Sequence, residues 1–181
     1  MRVGELYGVV SLVLARNFNS APDITDAMKF RKSNSWLIQR DSKANVLGSG
    51  HFAKFLAGES VAIISDDFIH LGKFLRVSHY INGANEDLTK FYEVCKFEPK
   101  FGEIDSLSNQ LLLIASVLKK ELDEQNGKFL IRFLTAYFLP YATIAAKDIS
   151  QNAQSEFYKA LGYFLDDFCI ALCEMFGIKQ K

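Results

Sequence analysis

The residues able to carry chemistry are few and scattered. Of the three histidines, His51, His70 and His79, none lies four residues from another or beside a cysteine or carboxylate at metal-ligand spacing. Each is therefore expected at the surface or at a helix end rather than on a metal. Cys169 and Cys173 share one helix face, but no second pair exists and Cys95 is remote. They read as small buried apolar side chains. Asp66-Asp67 and Asp166-Asp167 are adjacent pairs, so their carboxylates diverge on a helix and form no acid/base dyad. There is no Gly-x-Ser-x-Gly turn and no Gly-x-Gly-x-x-Gly fingerprint. Gly48-Ser49-Gly50 lacks the Gly-Lys-Ser/Thr ending of a phosphate loop and is expected to be a turn. These residues point away from an enzyme, and nothing in them calls for a cofactor or a metal.

Two features have the chemistry of binding instead. Asp105 stands at the start of an apolar helix, where the dipole favours a carboxylate. It reads either as a plain N-cap or as an anionic spot for a basic peptide. Pro140 falls in a helical pattern, where it removes the donor for the carbonyl of Ala136 and bends the axis. Tyr137 and Tyr141 lie one turn apart on that face. Either the helix ends here, or the kink opens a groove lined by phenols that suits a peptide with one apolar face.

The elements that must position these residues are helical. Leu107, Leu111, Ile114, Leu118 and Leu122 form one stripe, capped by Asp105 or Ser106. After an expected turn at Asn126-Gly127, Phe129 to about Tyr141 make the next helix. Gln154 to about Phe176 make the last, with Phe157, Leu161, Phe164, Phe168 and Leu172 on its apolar face. Upstream, helices are expected over Arg2 to Asn17, over Thr25 to about Arg40 with a break near Ser33-Asn34-Ser35, and over Glu86 to Cys95. Trp36 is expected in the core or at the lip of a groove. Lys43 to Gly50 reads as a loop, and Asp66-Asp67 as a cap for Phe68 to Leu71. Val61 to Ile64 is short enough to be strand or buried helix. The expected fold is an all-α, single-domain helical bundle spanning residues 1–181.

Composition agrees. Prolines number 3 and glycines 11, fewer breaks than an all-β chain needs. Basic and acidic residues balance at 21 each, without the basic excess of a nucleic-acid binder. An odd number of cysteines favours a reducing compartment over a disulfide framework. No apolar run is expected to approach the ~20 residues of a membrane span. Leu6 to Ala15 reads as an amphipathic helix rather than a signal peptide, since Glu5 follows Arg2 and no small-residue cleavage site follows. The expected location is the cytoplasm.

The order of these segments resembles the TorD/DmsD/NarJ family of cytoplasmic chaperones for molybdenum-containing redox enzymes. Glu103-Ile104-Asp105-Ser106-Leu107 resembles the family's Glu-Pro-x-Asp-His opening, and Leu111 to Ile114 its apolar run. Tyr137-Phe138-Leu139-Pro140-Tyr141 stands for a His-x-x-Pro-Trp signature, and Phe157-Tyr158-Lys159-Ala160-Leu161 for the Phe-Tyr-x-Ala-Leu start of the last long helix. Phe91-Tyr92 and Phe97 resemble an upstream aromatic segment, and Leu6-Tyr7 with Ser11-Leu12 fit the first helix. Ser106 and Tyr137 replace the family's two histidines, Tyr141 replaces its tryptophan, and the Glu-x-Asp spacing is one residue shorter.

The resemblance implies a TorD-like fold and a non-catalytic role. Such a protein binds the twin-arginine signal peptide, or the N-terminal region, of a molybdoenzyme catalytic subunit and delays export until the cofactor is inserted. Formate dehydrogenase is one client it allows. Asp105 and Glu103 would take the basic end of the peptide, Tyr137, Pro140 and Tyr141 would line the groove, and Ser106 would be a polar neighbour. It also allows a homodimer by domain swapping through the 96–102 loop. The alternatives are a NarJ-like assembly chaperone for a subunit that is not exported, an unrelated helical interaction protein and, more remotely, a small helical enzyme.

Overall fold

The longest apolar stripe organises the fold. Glu156–Phe176 forms one helix (α9), capped by Ser155, whose hydroxyl accepts the amide of Tyr158. Phe157, Leu161, Phe164, Leu165, Phe168 and Leu172 are all buried, as their spacing on one face dictates. The computed structural model describes residues 3–120 and 122–179. Around α9 lie α1 (Val3–Asn19), α2 (Ile24–Ser33), α3 (Lys43–Leu56), α4 (Val61–Leu71), α5 (Ala84–Cys95), α6 (Leu107–Leu118), α7 (Glu124–Phe133) and α8 (Leu139–Asn152). The chain is an all-α single domain. No strand forms among the described residues; one isolated antiparallel bridge joins Arg76 to Ser106.

Helices α3 and α8 pack along α9, and α1 packs against α6. Two glycines permit the closest approaches. A Cβ at Gly162 would stand 2.6 Å from the backbone nitrogen of Ser150 in α8, and one at Gly48 would stand 2.7 Å from the ring of Phe164. Trp36 stacks on Phe164 with ring centroids 4.2 Å apart and is 5 % exposed, so it is core.

Several expectations change. Lys43 to Gly50, including Gly48-Ser49-Gly50, is not a loop or a turn but the first half of α3; Ser42 caps it and Gly48 is the contact with α9. Asn126-Gly127 is likewise helical, because Asp123 accepts the amide of Asn126 and starts α7 earlier. Val61 to Ile64 is helix, capped by Ser60 rather than by Asp66-Asp67. Asp67 instead reaches across the fold and accepts the amides of Gln154 and Ser155 and the Ser155 hydroxyl. It thereby satisfies donors at the start of α9. The helix expected to reach about Arg40 ends at Ser33: the break near Asn34, which takes a left-handed conformation (φ 64°), is final, and no helix resumes before α3. Of the first helix expected from Arg2, only Val3 onward lies within the described residues.

The chain does not stop at Pro140. Leu134–Phe138 forms a π-turn that carries α7 directly into α8, with Pro140 in the first turn of α8. The Leu139 amide bonds to the carbonyl of Leu134, and the Thr135 hydroxyl donates to the carbonyls of Ile131 (2.8 Å) and Arg132 (3.2 Å). A widened turn of this kind leaves room for a pyrrolidine ring that a regular turn would reject. Residues 124–152 are thus continuously helical, and by length and mean hydropathy alone long and apolar enough to cross a membrane, contrary to expectation. Leu130, Phe133, Leu134, Phe138 and Tyr141 of this segment are fully buried in the core.

Candidate functional site

Asp105 lies on the chain just before α6, opposite a strap of two short 3-10 turns, Gly72–Leu75 and Val77–His79. Its carboxylate is completely buried. Arg76 Nε donates to Oδ1 at 2.7 Å, its Nη2 lies 2.7 Å from the same oxygen as an ion pair, and the amide of Ser78 donates to Oδ2 at 2.8 Å. The Val77 amide donates to the Asp105 carbonyl at 3.1 Å. Burial alone would raise the carboxyl pKa, but the Ser78 bonds and the Arg76 guanidinium outweigh it and hold the group below its ordinary value. Asp105 is therefore neither an exposed anionic spot nor the helix cap. The cap is Ser106, whose Oγ accepts the amide of Asn109 at 3.2 Å.

Tyr141 holds the other side of the strap. It is fully buried, and its hydroxyl donates to the carbonyl of Phe74 at 2.9 Å. It therefore does not line an open groove. Burial, then the charges of Tyr80 and Asp105, push its phenol well above the ordinary value. The Tyr80 ring lies 5.5 Å from that of Tyr141, and its hydroxyl donates to Asp148 at 2.7 Å. So the structure brings Asp105, Ser106 and Tyr141 together, but as clamps on residues 72–80. Glu103 is exposed, 3.6 Å from Arg76. Pro140 is exposed as well. Tyr137 is separate: half-buried, it packs on Phe91 (4.7 Å) and Phe133 (6.0 Å).

Open space lies on the α5 side of this region. A cavity of about 380 Å³ is bounded by the last turns of α5 and by the 97–104 connector, with Tyr92, Phe97 and Ile104 as its apolar wall. A second, of about 340 Å³, lies between the end of α5, α6 and the start of α7, walled by Leu113, Val117 and Phe129. Lys96 and Phe97 line both, so the two adjoin. Lys96 ends α5 in a left-handed conformation (φ 56°), and the Phe97 amide returns to the carbonyl of Tyr92 at 2.9 Å. This helix-terminating turn seats Phe97 between the cavities, its ring 5.0 Å from that of Tyr92. Phe129, from the wall of the second cavity, stacks on Phe91 (5.8 Å), which links Tyr137 to the groove through an aromatic row.

Sequence reasoning missed both Arg76 and Asn109. Asn109, fully buried, accepts the amides of Lys100 and Phe101 and donates to the carbonyls of Phe101 and Glu103. It thereby fixes the connector that forms one wall of the groove. An asparagine at the third position of a capped helix beside a Pro/Gly-containing connector is the only hint of this role. His51, expected at the surface or at a helix end, lies within α3, is half-buried and pairs with Glu156 at 2.6 Å. Cys169 and Cys173 are buried and unpaired, and no His/Cys/Asp/Glu group able to hold a metal occurs among the described residues.

No protein-family model, no curated protein and no solved structure matches the chain.

Proposed function

We propose that this protein is a cytoplasmic maturation chaperone of the TorD/DmsD/NarJ type. It holds the twin-arginine signal peptide or N-terminal region of a molybdoenzyme catalytic subunit and delays export until cofactor insertion. The observation that carries the reading is the pair of adjoining apolar-walled cavities on either side of Phe97, next to the 103–107 segment that bears the family resemblance. Concave apolar surfaces between helices are where amphipathic peptides dock. The resemblance supplies the client class, and the all-α architecture is compatible with it. Asp105, Ser106 and Tyr141 act away from the groove, where they fix residues 72–80, and Glu103 stands exposed beside Arg76.

The test is affinity purification of the tagged protein from its own cells, followed by mass spectrometry. Enrichment of a molybdoenzyme catalytic subunit still carrying its N-terminal leader is the expected result. Enrichment of such a subunit without any leader would shift the reading to an assembly chaperone for a non-exported client. Recovery with no redox enzyme enriched would refute the proposal.

A further inference from the structure

The groove has two unlike ends. Around the first cavity stand two exposed carboxylates, Glu93 on α5 and Glu98 on the connector, and neither forms an ion pair among the described residues. Beneath them lie the rings of Tyr92 and Phe97. Tyr92 is 2 % exposed, yet its hydroxyl has no hydrogen-bond partner. The Tyr92 ring therefore backs Phe97 from within the core and presents almost no surface to the cavity. Lys96 lines both cavities, but the second has no carboxylate among its described lining residues and adds Lys120 beside a wall of Leu113, Val117 and Phe129.

On the reading proposed above, we infer that the groove fixes the direction of the bound peptide. Its guanidinium-bearing head lies in the first cavity, between Glu93 and Glu98 and against the partly exposed ring of Phe97. The apolar segment that follows runs past Phe97 into the second cavity. Carboxylates at the rim match a planar guanidinium, the Phe97 ring beside it favours the same cation, and Thr89 adds a hydroxyl at this end. Lys96 is common to both ends, so a reversed peptide would exchange Glu93 and Glu98 for Lys120 beside its cations and would be disfavoured. The cation-recognising groups are then Glu93 and Glu98, while Asp105, spent on Arg76, takes no part in contact.

The inference is tested with a fluorescein-labelled peptide of two adjacent arginines followed by a leucine- and alanine-rich run, and with the same peptide carrying two glutamines. Binding to the full chain is read by anisotropy at low and high salt. Both carboxylates are exposed, so the double variant E93Q/E98Q keeps the fold. Wild type is expected to prefer the arginine peptide, and the double variant to lose about fivefold to tenfold of that affinity at low salt and less at high salt. Its affinity for the glutamine peptide should not change. If wild type binds the arginine peptide and E93Q/E98Q binds it equally well, the assigned direction is wrong while the peptide-binding reading stands. If wild type binds neither peptide, the inference falls together with that reading.

Discussion

Replacing Asp105 by alanine should unsettle the strap of residues 72–80 rather than act at the groove. The substitution removes both oxygens that receive Arg76 and the Ser78 amide, three contacts at 2.7 to 2.8 Å. Deleting one partner of a buried ion pair costs about 3–5 kcal/mol. The Arg76 side chain is 33 % exposed and regains water, which places the cost near the lower end, at about 3 kcal/mol. For a domain of this size that lowers Tm by roughly 6–12 °C. The assay is thermal unfolding followed by far-UV circular dichroism, with wild type and Asp105→Ala compared across pH. The sign follows from the carboxyl being held below its ordinary value in the folded chain. Such a group stabilises the fold above the unfolded-state value of about 4, and the contribution disappears as pH falls through the lower, folded value. The gap between the two proteins should therefore be full at neutral pH and close in acid. A variant that melts with wild type at neutral pH, or a gap that widens on acidification, would refute the assignment.

Two further outcomes follow from the packing. Gly162→Ala sets a methyl group 2.6 Å from the backbone of Ser150; overpacking of about 1–3 kcal/mol should exceed the gain of about 1 kcal/mol in helix propensity, so calorimetry should show a lower Tm, and an unchanged or higher one would refute the α8–α9 contact. Trp36, the single tryptophan, should emit at short wavelength and resist acrylamide quenching until the chain unfolds; equal quenching of native and denatured protein would place it outside the core.

The helical class was legible because the stripes of α6 and α9 repeat with helical period, and the burial of Phe157, Leu161 and Phe164 follows directly from it. Local readings failed where a distant partner decided the outcome. Gly48 looked like turn chemistry, but its lack of a side chain serves the approach of Phe164. Asp105 looked like a helix cap, but Arg76, 29 residues earlier, takes its charge inward. Tyr141 looked like groove lining, but the Phe74 carbonyl holds its hydroxyl in the core. The groove itself comes from the way Lys96 turns the chain at the end of α5, and neither hydrophobic period nor charge count registers a single left-handed residue.

The π-turn between α7 and α8 sets the phase of everything after it. One residue fewer in 134–138 would restore a regular helix but rotate α7 by about 100° relative to α8. Leu130 and Phe133, now fully buried, would then swing toward water, carrying with them Phe129 and its wall of the second cavity. Segment length here acts as a gear setting, fixed to a single residue by the opposite demands of core and groove. An exchange of side chain at exposed Ala136 should pass with little effect, whereas deletion of Thr135 or Ala136 should misalign both surfaces at once.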